Sequence, residues 1–295
     1  MWIQTSFKHN ESSTSGILYI VPTPIGNLED ITFRAVRILK EVDFIAAEDT
    51  RNTKKLCRHF EILTPLFSYH DHNKNISGQK IIRLLEEGKH IAIVSDAGTP
   101  CVSDPGYEIV VQAVKKQIPV IALPGASASI TALSASGLDT RHFYFYGFLD
   151  RSKKKKRIQL ENLKAFSETM IFYESPHRLK ETLFVMLEVF GNRQVVVLRE
   201  LTKVYEQIFR GRLEDIQNYF SMEPVRGEFC ILAEGTTSKH SIESQTSFWK
   251  QFSVVQHVNY YIENEGMPPK EAVKQTAADR EMSRRDVYQA YHIDR

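Results

Sequence analysis

Residues 91–106 read IAIVSDAGTPCVSDPG. Four apolar residues form a short continuous run, the mark of a strand buried on both faces of a parallel sheet. The run stops at Ser95 and Asp96, and a loop follows that holds Gly98, Pro100, Pro105 and Gly106. Glycine lets backbone approach a ligand closely, and proline removes conformational freedom before any ligand arrives. A rigid strand-to-helix turn explains the same residues without a ligand. The neighbouring segments must decide between the two.

Outward from this loop the chain alternates. ILYIV (17–21), FIAA (44–47) and PVIAL (119–123) are further short apolar runs. Between them lie stretches of helical period. In 31–42, Phe33, Val36, Leu39 and Val42 share one face and Asp30 is the expected N-cap. NTKKLCRHF, SGQKIIRLLEEG and YEIVVQAVKKQ (107–117) read as helices. Strands alternating with helices predict a parallel α/β domain over 16–123, with any ligand beyond the strand C-termini. The pattern then changes. HFYFYGF, TMIFYES (169–175), QVVVLREL (194–201), EQIFRG (206–211) and GEFCILAEG (227–235) predict a second α/β domain over 124–235 with a mixed sheet. Residues 1–15 read as a flexible tail and 236–247 as a polar linker. Residues 248–295 read as a helical module, in which PKEAVKQTAADREMSRRDVYQAYH suggests two short helices in a helix-turn-helix arrangement. Ser283 would cap the second, which Arg284 and Arg285 open. Domain packing explains such a pair equally well.

Composition excludes several classes. The 295 residues carry a net charge of only +2, with 42% hydrophobic and 25% charged residues, as in an ordinary soluble protein. Cys57, Cys101 and Cys230 lie far apart with no C-x-x-C, so neither a disulfide framework nor a zinc site is expected, and a reducing cytoplasm is. No apolar run approaches the roughly 20 residues of a membrane span. Positive charge concentrates between Arg141 and Lys164, opposed within that stretch only by Asp150 and Glu161. This reads as a phosphate-binding footprint or as a solvated helix start.

Two strand-end loops, PTPIGNLED (22–30) and the opening stretch, carry unusual chemistry, yet neither is G-x-G-x-x-G nor a Walker loop. Asp96 would repel phosphate but could accept from ribose hydroxyls or an ammonium group. Three clusters could serve catalysis: Glu48, Asp49 and Arg51 in EDTR; His70 and His72 in YHDH; Glu174, His177 and Arg178 in YESPHR. Glu200 and Lys203 in RELTK are lesser candidates. Each carboxylate could instead serve only to pair with an arginine, and H-x-H is weak support for a metal.

Six motifs in fixed order are more specific than any one of them. YIVPTPIGNLEDIT, EDTRNTKKL, SDAGTPCVSDPG, LPGASASITALSASG, FYESPHR and GEFCIL together resemble the ribosomal RNA small-subunit methyltransferase I family, a branch of the tetrapyrrole-methylase-like class. The resemblance implies two α/β domains with S-adenosylmethionine in the cleft between them, and a homodimer. It implies 2′-O-methylation of a cytidine in the decoding region of small-subunit (16S) ribosomal RNA, free or in the assembled subunit. The cofactor-binding positions it implies are Pro22, Asp96, Gly98, Thr99, Val102, Gly125, Ser127, Ala128, Tyr173 and Phe229. Glu48, Arg51 and Glu174 would lie near the acceptor ribose. Lys153, Lys154, Lys155, Arg157, Arg178, Arg284 and Arg285 would meet RNA phosphate. No metal is implied, and the residues do not decide which group takes the proton. A tetrapyrrole methyltransferase of the same fold class is the alternative; the lysine-rich run and the helical tail favour RNA.

Overall fold

Buried on both faces, strand β4 (Ile91–Val94) can only be an interior strand, and it lies inside a five-stranded sheet. This computed structural model describes residues 2–4, 15–70, 74–236, 249, 252–264, 266–280 and 282–293. Residues 1–235 form one compact unit and 236–295 another.

The first sheet joins β1 (Leu18–Ile20), β2 (Phe44–Ala47), β3 (Leu66–Ser68), β4 and β5 (Val120–Ala122) in the order β3-β2-β4-β1-β5. Every pairing is parallel. Helices α1 (Phe33–Glu41) and α2 (Thr50–His59) cover one face, where Ile38, Leu39 and Cys57 pack on Ile45, Ala47, Ala92 and Val94. Helices α3 (Lys74–Glu86) and α4 (Tyr107–Lys115) cover the other through Ile81, Leu85 and Ile109. The α1 cap differs from expectation. Thr32, not Asp30, caps the helix by accepting from the Ala35 N–H, because residues 28–30 form a separate 3₁₀ turn capped by Asn27. Strand β3 was not expected either. At three residues after a proline, it is too short for any periodicity. Gln4, placed in the expected free tail, pairs its side-chain amide with both backbone groups of Val120 on edge strand β5.

The second sheet has the order β6-β7-β10-β8-β9, from β6 (Phe143–Phe148), β7 (Thr169–Glu174), β8 (Gln194–Arg199), β9 (Gln207–Arg212) and β10 (Phe229–Ala233). It is mixed: β6 and β7 are parallel, and the remaining pairs are antiparallel. Helix α5 (Ala128–Ser136) packs Ala132 and Leu133 on one face. Helices α6 (Lys153–Leu163), α7 (Leu179–Phe190) and α8 (Leu213–Met222) bury Leu160, Leu183, Met186 and Phe220 against the other.

The second unit holds α9 (Val254–Glu263), α10 (Pro269–Asp279) and α11 (Arg284–Ile293) around Val258, Ala272, Val273, Ala277 and Val287. Ser253 and Gln256 form a capping box on α9. Ser283 accepts from the Asp286 N–H ahead of α11. Most of the expected linker lies outside the described residues, as does His72.

Candidate active site

Strands β1 and β4 are neighbours, so the loops leaving their C-terminal ends lie side by side. Thr23 and Gly98 join them by reciprocal backbone hydrogen bonds of 2.9 and 3.0 Å. A third loop, after β5, is tied in when the Thr99 hydroxyl donates to the Ala126 carbonyl at 3.0 Å. Pro22 lies so close to Gly125 that a Cβ there would stand 2.6 Å from the proline Cβ. Gly98 has φ +80°, and a Cβ on it would press Ile25 at 3.2 Å. Cys101 and Ser103 also hold positive φ, +69° and +62°. Backbone strain of this kind persists where packing over-determines a loop and concentrates at functional sites. The loops and the start of α2 enclose a cleft of about 230 Å³, lined by Thr23, Gly26, Asn52, Thr53, Ser95 and Asp96.

Carboxylates gather at these strand ends. The Glu48 Oε2 accepts from the Asp96 N–H at 3.2 Å. Asp96 is exposed by surface area, yet partial desolvation by the surrounding loops raises its carboxyl above the ordinary range; the Asn52 side chain opposes that by hydrogen bonding, while nearby Asp49 adds to it. Asp104 is pushed up to about 6, first by desolvation and then by the Glu48 charge, against the Ser95 hydroxyl that bonds to it. Asp49 is different. It caps α2 and grips Arg51 at 2.6 and 3.0 Å, which holds it down to about 2. Arg51 is therefore engaged by Asp49, with its side chain 86% exposed at the mouth. These carboxylates accept hydrogen bonds and suit a ligand with positive charge and hydroxyls, while Lys55 adds one cation to the lining of the cleft.

The second sheet reaches the same region through Tyr173, whose hydroxyl accepts from the Ser129 N–H at 3.0 Å. Ser127, the N-cap of α5 ahead of Ala128, shares a hydrogen bond with the Ser129 hydroxyl. Val102 is half-exposed in the loop after β4. Three expected residues have side chains engaged within the protein. Glu174, expected beside the acceptor ribose, has no exposed side-chain surface. Its two oxygens accept from the Thr182 hydroxyl at 2.6 Å and the Ser175 N–H at 2.8 Å. Arg178, expected on RNA phosphate, stands 3.3 Å from Glu174 and donates to the carbonyls of Leu149 and Asp150. Phe229 packs into the helical core edge-to-face with Phe220, so only its backbone could meet a ligand.

The basic run is less free than its sequence suggests. Lys156 is fully buried, bonded to Glu181 and Thr182. Arg157 pairs with Glu188, Lys155 stands 3.8 Å from Asp150, and Lys153 lies over the Phe184 ring. Lys153, Lys154 and Lys155 remain exposed. Arg284 and Arg285 are exposed on the second unit. Asp104, Asn52 and Ser129 join the site although sequence reasoning did not select them. Asp104 was legible as the second SD of SDAGTPCVSDPG; the other two carry no motif signal.

The family model described as tetrapyrrole (corrin/porphyrin) methylases matches residues 17–217. The chain is 53% identical over 290 residues to the ribosomal RNA small subunit methyltransferase I of Bacillus subtilis, covering 98% of each chain. It is 46% identical over 292 residues to that of Streptococcus pyogenes, covering 99% of each. Among solved structures, a cobalt precorrin-4 methyltransferase superposes with TM-score 0.58 at 18% identity, over 74% of this chain and 94% of that one. A diphthine synthase gives 0.60 at 14%, over 79% and 96%. A uroporphyrin-III C-methyltransferase from Thermus thermophilus, solved with S-adenosylhomocysteine, gives 0.55 at 18%, over 74% and 98%. These structural likenesses show the fold. The family model and the sequence relatives show that this chain belongs to the ribosomal RNA small subunit methyltransferase I family, S-adenosylmethionine-dependent methyltransferases of the tetrapyrrole-methylase fold.

Proposed function

We propose that the chain methylates the ribose 2′-hydroxyl of a cytidine in the decoding region of small-subunit (16S) ribosomal RNA. The supporting observation is the near full-length match to relatives named for small-subunit ribosomal RNA methylation. It is joined here to a strand-end site built from carboxylates and strained loop backbone. The residues fit S-adenosylmethionine. Glu48 and Asp96 complement a cation, and the stitched loops present backbone groups.

When bound, S-adenosylmethionine supplies an electrophilic methyl carbon. Pro22, Gly98, Thr99, Gly125 and Ser127 belong to the loops that would hold it, with Val102, Ala128, Tyr173 and the Phe229 backbone along the walls. Positioning of the acceptor oxygen for in-line displacement provides much of the rate enhancement in such reactions. In this reading Asp104 receives the hydroxyl proton: it is hydrogen-bonded to Ser95, which lines the cleft, it lies near Glu48, and its raised carboxyl is closer to the operating pH than an ordinary one. Glu48 fixes the Asp96 backbone, and Arg51 stands at the mouth for RNA. Lys153, Lys154, Lys155, Arg284 and Arg285 would add phosphate contacts. The reading includes a cytoplasmic homodimer.

The test uses methyl-labelled S-adenosylmethionine with small subunits, free 16S RNA or a porphyrinogen in parallel. Label on RNA supports the proposal; label on the porphyrinogen alone replaces it with the tetrapyrrole reading.

A further inference from the structure

Phe148 ends β6 with 53% of its surface exposed, its ring 5.6 Å from that of Tyr173. It borders a cavity of about 780 Å³ between the loop after β6 and the turn after β7, with Arg151, Ser175 and His177 on the rim. Arg151 and His177 are exposed, and Lys153 and Lys154 follow on the first turn of α6. The Asp150 carboxylate in the wall accepts from the Ser152 N–H and lies near Lys155.

Behind this wall runs a polar relay in which Lys156, Thr182 and Glu174 are buried. Lys156 donates to Glu181 at 2.6 Å and to the Thr182 hydroxyl at 3.0 Å. Thr182 donates to Glu174 at 2.6 Å, and Glu174 lies against Arg178. Arg178 ends the relay on the Leu149 and Asp150 carbonyls at 2.6 and 3.0 Å. Burying such charges costs free energy that an apolar core would not, so the arrangement is not explained by stability. What it does achieve is to fix the backbone between Phe148 and Arg151.

We infer that this cavity is a subsite for one nucleotide of single-stranded RNA, its base stacked on Phe148 and its phosphate met by Arg151 and His177. The relay from Lys156 to Arg178 holds the rim in place. The inference rests on the RNA reading above. An aromatic platform beside cations is the chemistry that single strands require, since every base has a stacking face and every phosphate a charge. Glu174, Thr182 and Arg178 are then positioning residues.

Steady-state methylation of 16S RNA is measured for wild type, F148A, F148W, R151Q, T182V and T182S, with cofactor affinity by calorimetry. F148A is expected to raise KM for RNA about 5- to 150-fold, with F148W near wild type. R151Q should make the salt dependence of RNA affinity shallower by about 0.7 in log–log slope. T182V should raise KM and T182S restore it, all with unchanged cofactor affinity. If wild type methylates RNA while F148A and R151Q keep its KM, the subsite is wrong and the RNA reading stands. If T182V melts earlier but keeps its KM, the relay does not position the rim. A wild type that binds cofactor but transfers nothing to RNA overturns the RNA reading, and the subsite with it.

Discussion

The Ser129 N–H donates to the Tyr173 hydroxyl across 3.0 Å, joining the first turn of α5 to the end of β7. Tyr173→Phe removes the acceptor and leaves a part-buried N–H unsatisfied, which costs about 1–2 kcal/mol. The variant should melt a few degrees lower and bind S-adenosylmethionine more weakly, because Ser127 and Ala128 share that turn. Calorimetry and thermal melts check this; unchanged affinity would separate the α5 turn from the cofactor site.

Gly98→Val places a β-branched side chain at φ +80°, with its Cβ 3.2 Å from Ile25. The left-handed backbone alone costs about 1–2 kcal/mol. Cofactor affinity should fall at least tenfold while circular dichroism stays native. Asp96→Ala should also weaken the cofactor, with little loss of fold, since the carboxylate lies at an exposed strand end.

Asp104 carries a pH signature. Its carboxyl is raised to about 6 in the folded chain from an ordinary value of 3.8. The folded state thus holds the proton more tightly than the unfolded one. The stability this contributes is full below pH 3.8 and is lost as pH rises through 6. Asp104→Asn should therefore stabilise the chain at pH 7.5, by about 1 kcal/mol after allowing for its partial exposure, and make no difference at pH 4. The same variant should lose most methyl transfer while retaining cofactor. Stability falling at pH 7.5 would remove the charge strain from this account.

Lys153 and Lys154 keep exposed side chains, unlike Lys156 and the paired Arg157. Replacing both by alanine should lower RNA affinity and make its salt dependence shallower, by about 1.4 in log–log slope for a single strand. Cofactor affinity should not move. An unchanged slope would return this helix start to ordinary solvated surface.

The helical module is a separate compact unit. A chain ending at Gly235 should fold and bind S-adenosylmethionine, since both sheets and their helices lie before that point. Its RNA methylation should drop modestly, because exposed cations such as Arg284 and Arg285 each contribute little. Loss of cofactor binding would place the module in the core of the enzyme.

The parallel sheet and its loops were legible because apolar runs, glycines and prolines act locally. Glu174 misled because a carboxylate at a strand end looks functional, whereas its orientation toward Thr182 depends on which sheet face α7 covers. Lys156 stands four and seven residues before Leu160 and Leu163, so its place on the buried face of α6 was present in the helical period, hidden by the charged residues around it. The raised Asp104 depends on Glu48, which is brought close by the pairing of β2 with β4 and lies 56 residues earlier in the chain. No local pattern records that distance.

Nucleoside mass spectrometry of 16S RNA, after incubation with the chain and S-adenosylmethionine, tests the central claim most directly. The account predicts one 2′-O-methylcytidine per RNA, confined to a decoding-region fragment and absent with Asp104→Asn. A methyl group on a base, or RNA left unmodified while a porphyrinogen is methylated, would contradict it.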